Sequence, residues 1–230
     1  MAAPVHVVIP MKDHLELTRS ILDQLRQQGG YAGVFVYDNG SGPEAAAWLA
    51  SVAGRDGIEL VEAGGWGIYD MWQDGVDRAR RRMPDTDIAI LNNDLVIGPD
   101  FLGSLSRALH SDSKLWAVSP RYDGRAITGV EYVTGTFKAC GLAGFAFIVR
   151  GGAFDHVAFD RGFRLWFGDD DLVAQIEALG HKVGITAATW VEHVGGGSQT
   201  LRRQRNVWEK LLRDHDRMVA KWGGVGPVRS

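Results

Sequence analysis

The chain has 230 residues, 45% of them apolar, and a formal net charge of −3. That is enough for one large α/β domain or two small ones with a sizeable core, and the balanced charge gives no support for nucleic-acid binding over the whole surface. Cys140 is the only cysteine, so an intrachain disulfide and a disulfide-built scaffold are excluded.

Val5 to Ile9 is an apolar, β-branched run that reads as a buried strand ended by Pro10. His14 to Gln27 carries Leu15, Ile21, Leu22 and Leu25 at helical spacing and stops at Gly29-Gly30. Val34 to Tyr37 is a second strand, closed by Asp38-Asn39-Gly40-Ser41-Gly42, and Pro43 starts a short alanine-rich helix. Ile58 to Val61 is a third strand, followed by the loop Gly64-Gly65-Trp66-Gly67. Tyr69 to Arg82 is helical, with Met71, Trp72, Val76 and Ala79 on the buried face. Ile88 to Leu91 is a fourth strand, and Pro99 opens a helix with Phe101, Leu102, Leu105, Ala108 and Leu109 on one side. This alternation predicts a mostly parallel central sheet with helices on both faces.

Beyond Leu109 the pattern loosens. Trp116 to Val118 and Phe145 to Val149 read as strands, and 121–136 as loop. Residues 154–167 are aromatic and irregular. Asp169-Asp170-Asp171 leads into a helix ended by Gly180, and Val183 to Ile185 and Thr189 to Val191 read as two short strands. Leu201 to Trp222 is a helical tail. The N-terminus shows no basic segment or apolar targeting region, and the longest apolar stretch is far short of the roughly 20 residues that span a bilayer. A cytoplasmic protein is the expectation. The basic tail is able to touch a membrane surface or a polyanionic acceptor, but a solvated helix face is the plainer reading.

Three polar groups fall at the ends of predicted elements. Asp38 and Asn39 follow the second strand, where a carboxylate can accept a base N–H or a ribose hydroxyl; Asn-Gly is equally a turn signal. Asn92, Asn93 and Asp94 end the fourth strand, at the edge where open α/β sheets bind ligands. With the distant His193, Asp94 forms a sparse set for a hard divalent cation such as Mn²⁺, to be completed by ligand phosphates and water. The acidic run at 169–171 is in part a helix cap, yet three adjacent carboxylates exceed what capping needs and offer a general base. The loop Gly195-Gly196-Gly197-Ser198 would let backbone N–H groups approach phosphates. The glycine fingerprints of ATPases and dehydrogenases are missing.

In their order and spacing these groups resemble the GT-A fold glycosyltransferases, in particular the large inverting family 2, over nearly the whole chain. Val7-Val8-Ile9-Pro10 is similar to the first strand lining the nucleotide pocket, and Val36 to Ser41 to the second, whose Asp matches Asp38. Gly67 to Gly75 resembles the Gly-rich helix start, with Gln73 where the family often has Asn. Asn92-Asn93-Asp94 stands at the Asp-x-Asp metal motif with its first Asp replaced. Asp169-Asp170-Asp171-Leu172 resembles the Glu-Asp-x-Asp-Leu base segment, with Gly168 where a Glu is usual, and His193 to Ser198 the metal- and diphosphate-contacting loop.

The resemblance implies a Rossmann-like GT-A fold and an inverting, metal-dependent hexosyltransferase. Its nucleotide-sugar contacts would be Pro10, Asp38, Asn39, Gly67, Gln73, Asn92, Asn93 and Ser198. Asp94 and His193 would hold Mn²⁺ or Mg²⁺, and Asp169 would be the base, or Asp170 if the register slips by one. UDP or dTDP is favoured over GDP because Asp38 suits a pyrimidine imide. One domain is expected, with a donor half over about 1–98, an acceptor half over about 99–200 and a terminal helix over about 201–222. The acceptor is left open between glycan, protein and another hydroxyl. The competing readings are a sugar nucleotidyltransferase, whose Arg-containing glycine signature is absent near Pro10-Met11-Lys12-Asp13, and an inactive carbohydrate- or partner-binding protein of the same fold.

Overall fold

The computed structural model describes residues 4–122, 124, 126–133, 142–194 and 207–223. The first half starts with β1 (Val5–Met11), α1 (Leu15–Gln28), β2 (Tyr31–Asp38), α2 (Pro43–Val52) and β3 (Ile58–Glu62). It continues with α3 (Ile68–Arg82), β4 (Asp87–Leu91), β5 (Leu95–Ile97) and α4 (Phe101–Leu109). The second half contributes β6 (Leu115–Arg121), β7 (Val130–Val133), β8 (Ala146–Val149) and a 3₁₀ turn (Gly151–Asp155). It ends with α5 (Gly168–Ala178), β9 (Lys182–His193) and α6 (Val207–Trp222).

The strands lie in the order β3-β2-β1-β4-β8-β6-β9-β5, with β7 on β9. The run from β3 to β4 is all parallel. β8 then enters antiparallel to β4 and β6, and β6 returns to parallel pairing with β9. Two cores cover the sheet. One packs α3, α5 and Met218 of α6 against Val8, Phe35 and Phe147, and the other packs α1, α2 and α4 against Val7, Ile9 and Val36. β1 is therefore buried on both faces, which is why its sequence is apolar without alternation. Gly75 lets α3 sit directly on β1, since a Cβ there would come within 2.5 Å of a Val8 methyl. That contact aims the start of α3 at the C-terminal edge of the sheet.

The helix boundaries of the first half match the sequence reading to within a residue or two. Three differences lie further on. β5, of three residues, falls where the sequence reading assigns no element, and β7, of four, lies in the stretch read as loop. The two short strands expected at 183–185 and 189–191 are one bent strand of twelve residues, β9. Its first part pairs with β6 and β7 and its last part with β5, so pairing partners rather than local propensity carry it through the bend. Residues 201–206 of the expected tail helix, Ser198 and the glycine loop before it lie outside the described residues. No helix among the described residues is long and apolar enough to cross a membrane.

Candidate active site

A cleft of about 370 Å³ opens at the C-terminal edge of the parallel strands. Pro10, Met11 and Lys12 end β1 on one wall, Asn39 follows β2, and Asn92 and Asn93 follow β4. Trp66, Ile68 and Met71 come from the start of α3. Arg164, Leu165 and Lys210 close the far side. Four of the sequence candidates, Pro10, Asn39, Asn92 and Asn93, thus share one cleft.

Several of these and of the other candidates are engaged within the protein. Asn39 is bound at both ends of its amide, accepting from Gly65 N at 2.9 Å and donating to Trp66 O at 3.2 Å, so it shapes the 64–67 loop that presents Trp66. Asn93 donates to Thr18 Oγ1 at 2.9 Å, tying the strand end to α1. Asp38 accepts the Ser41 N–H at 2.8 Å, the turn role that Asn-Gly predicts, and stays half-buried. Gly67 caps α3, its N–H held by the Asp70 carboxylate at 3.0 Å. Gln73 lies away from the cleft. Its amide donates to Asp77 at 2.9 Å and accepts from Phe159 N at 2.8 Å. Position 73 clamps α3 to the 159 loop.

Beside the cleft, Asp94 and His193 meet although 99 positions separate them in the chain. The antiparallel register of β5 with β9 sets Leu95 opposite His193, and Val194 N donates back to Asp94 O at 3.0 Å. Asp94 Oδ1 and His193 Nε2 lie 2.9 Å apart, yet the angles make no hydrogen bond, and both atoms are buried without a partner among the described residues. A buried carboxylate oxygen and imidazole nitrogen left unsatisfied face to face are costly. They fit a shared cation: neighbouring ligands of an octahedral ion at about 2.1 Å would stand about 3 Å apart. Among the described residues no third histidine, cysteine or acid joins them. Phe145 stacks on the His193 ring at 4.6 Å and fixes its plane.

The acidic run opens α5. Phe167 precedes it with φ of 65°, a left-handed conformation that costs a non-glycine residue of order 1–3 kcal/mol and so marks an over-determined backbone. Asp171 is fully buried and structural: Lys221 Nζ, Trp222 Nε1 and Gln175 Nε2 all bond it, which clamps α6 to α5. Asp169 and Asp170 are only partly covered. The Tyr69 hydroxyl reaches both Leu165 O, at 3.3 Å, and the Asp169 carboxylate. Burial holds Asp169 above the ordinary carboxylate range, against the pull of the first-turn N–H groups and Tyr69. Burial first, and the charge of Asp169 second, push Asp170 up to about 7. The glycine at 168 has its reason here too, since a Cβ would land 2.3 Å from the Tyr69 ring.

Sequence reasoning did not find Asp214, the fully buried acid of α6. Its carboxylate accepts the backbone N–H groups of Arg164, Leu165 and Trp166 at 2.8–3.1 Å, and so holds the far wall of the cleft. The signal was there: Asp214 shares a helix face with Val207 and Met218.

The sequence matches no protein-family model and no curated protein. Solved structures do resemble it. GalNAc-T7 with UDP, GalNAc and Mn²⁺ superposes with a TM-score of 0.66 at 13% identity, over 84% of this chain and 43% of that one. The mannosyltransferase PcManGT from Pyrobaculum calidifontis, in complex with GDP-Man and Mn²⁺, gives 0.63 at 17% identity over 99% and 66%. Glucosyl-3-phosphoglycerate synthase from Mycobacterium tuberculosis, with Mn²⁺, UDP and glucosyl-3-phosphoglycerate, gives 0.63 at 11% over 98% and 81%. The chain thus spans less than two thirds of the first two. Likeness at these identities is likeness of fold, and the fold is the GT-A arrangement of these transferases.

Proposed function

We propose that the protein is a glycosyltransferase that moves a sugar from a nucleotide-diphosphate donor to an acceptor hydroxyl, with inversion and with the help of a divalent cation. The observation that carries this reading is the unsatisfied Asp94–His193 pair beside the strand-edge cleft. The solved structures of this fold that contain a nucleotide and Mn²⁺ support it by analogy.

In this reading the nucleoside lies against β1 and Trp66, whose 39% exposed ring offers a face for a base, with UDP or dTDP favoured by Asp38. Lys12, Arg164 and Lys210 give the cleft a positive rim for phosphates. Asp94 and His193 would hold Mn²⁺ or Mg²⁺, which when bound supplies Lewis-acid stabilisation of the departing diphosphate. The acceptor oxygen attacks the anomeric carbon as Asp169 takes its proton. The bond from that carbon to the diphosphate oxygen breaks, and its electrons leave with the nucleoside diphosphate. The carbon passes through oxocarbenium character, as in glycoside hydrolysis. Asp170, protonated up to about pH 7, lets Asp169 keep the charge of the pair and act as base.

Calorimetric titration with UDP and GDP, with and without Mn²⁺, tests the donor side. Mn²⁺-dependent binding of one of them is expected. If neither binds in the presence of Mn²⁺, the reading is wrong. Pyrophosphate release from a nucleoside triphosphate and sugar phosphate would move it to a sugar nucleotidyltransferase.

A further inference from the structure

A second cavity, about 630 Å³, lies along β9 and shares His193 with the cation pair. Its walls are Arg121 and Tyr122 at the end of β6, Phe145 before β8, and Trp190, Glu192 and His193 of β9. Nothing in the reaction above uses Trp190, Arg121 or Glu192. They are nonetheless held by a specific device. The β6–β9 register runs from Leu115 to Pro120↔Thr186 and then jumps to Arg121↔Trp190, leaving residues 187–189 as an extra loop of β9. Bulges of this kind re-aim side chains and gather beside active sites. Here the bulge makes Trp190 and Arg121 cross-strand neighbours in the cavity wall. Trp190 is pinned by Gly98, where a Cβ would come within 3.0 Å of its Cδ1 and Nε1, yet the residue remains 37% exposed. Phe145 stacks on His193 and meets Tyr122 edge-on at 5.7 Å, so the wall is aromatic and stiff. Arg121 and Glu192 form no ion pair with another described residue.

We propose that this cavity is the carbohydrate subsite of the acceptor and takes a pyranose ring, an assignment that rests on the glycosyltransferase reading. A pyranose presents a C–H face, whose positive edges suit the negative face of an indole, and a rim of hydroxyls. Arg121 supplies donors to that rim and Glu192 acceptors. An apolar ligand would strip water from both charges without return, and a phosphate or carboxylate would meet Glu192. The volume falls within the roughly 300–1,000 Å³ of small-molecule sites. Its place beside His193 puts the acceptor next to the diphosphate end of the donor.

The test titrates methyl pyranosides (gluco, galacto, manno and N-acetylglucosaminide) by saturation-transfer NMR with UDP and Mn²⁺ present. At least one should bind the wild type through its ring C–H protons. Trp190→Ala should weaken that binding roughly three- to tenfold, the worth of an aromatic contact. Trp190→Phe should restore most of it, and Arg121→Gln should weaken it with the fold intact by circular dichroism. UDP affinity, measured separately by calorimetry, should be unchanged in all three. Saccharide binding indifferent to both Trp190→Ala and Arg121→Gln, or no pyranoside bound by a protein that binds UDP, overturns the assignment. Failure of the wild type to bind any nucleotide sinks the donor reading instead, and is read in the separate arm.

Discussion

The two halves of the molecule place their candidate residues by different means. In the first half, parallel strands β1, β2 and β4 end at one edge, and candidates lie at or just after those ends: Pro10, Asn39, Asn92. In the second half nothing is delivered so directly. His193 arrives at the end of a strand that changes partners along its length, Asp169 sits behind a left-handed Phe167, and Arg164 is held by an acid 50 residues away in α6. Position in the first half is a property of the parallel sheet itself, whereas in the second it depends on a few long-range bonds. Breaking those bonds should therefore separate the halves.

The largest effect should come from Asp169→Asn. The amide is close to the carboxylate in size and keeps an oxygen for the Tyr69 hydroxyl and the first-turn N–H groups. Donor affinity should hold, while turnover falls by roughly 10²–10⁴-fold, the worth of a general base. In the wild type, activity should rise with pH as Asp169 ionises, from a point above the usual carboxylate range. Steady-state kinetics with a fixed acceptor reads both. Unchanged turnover would return the acidic run to helix capping and leave the inverting mechanism without a base.

Asp214→Ala comes next and acts on the second half alone. It leaves three backbone N–H groups without their acceptor, at a cost of roughly 3 kcal/mol or more. In a chain of this size that is roughly 6–12 °C of melting temperature. Hydrogen exchange should quicken at 164–166 and α6 while β1, β2 and β4 stay protected. Uniform loosening of both halves would show that the clamp serves the whole fold.

These contrasts bear on what the sequence could reveal. β1 to β4 and their helices were legible because each buries a repeated apolar pattern on a face fixed by its own period. Asn39, Asn92 and Asn93 stand at the cleft wall for a related reason: polar side chains directly after a buried strand have no core to join. β5 and β7 were not legible, because three or four residues carry no period and owe their extended form to β9. The bonds of Gln73 were not legible, because a polar helix residue looks the same in sequence whether it faces a ligand or clamps Asp77 and Phe159. In the acidic run the sequence suggested that capping could not explain all three acids; only the contacts of Lys221 and Trp222 single out Asp171 as structural. Gly168 looked like a departure from the family, but the Tyr69 ring fills the space its side chain would need.

Asp94→Ala and His193→Ala join the halves and should fail together. Each should reduce Mn²⁺-dependent nucleotide affinity by about tenfold or more, with metal-free affinity unchanged. Stability should not fall as it does for Asp214→Ala, since each substitution also removes one unsatisfied atom of the pair. A double mutant no worse than either single would argue for one shared ion. EDTA that leaves wild-type affinity and turnover untouched would remove the metal from the reaction.

The smallest effect, and the sharpest on the carboxylate pair, should come from Asp170→Asn. Asp170 titrates at about 7 in the folded chain, raised by burial and then by Asp169. Unfolded, it returns to the usual carboxylate value near 4. Between these values the native state binds the extra proton, so wild-type stability should fall as pH rises from about 4 to 7 and stay low above. Asparagine carries no charge to desolvate. The variant should match the wild type near pH 4 and exceed it at pH 8 by about 1 kcal/mol, after allowance for residual solvent at a partly covered group. That is roughly 2–4 °C in melting temperature. Asp170 is protonated while Asp169 ionises, so the acidic limb of the rate profile should stay in place, with less than about tenfold change in turnover at pH 8. Melting curves at pH 4, 6 and 8 and a pH–rate profile distinguish the outcomes. If Asp170→Asn abolishes transfer while Asp169→Asn does not, the base is Asp170. Asp169 would then be the residue that, with Tyr69 and the first-turn N–H groups, holds the start of α5 in place.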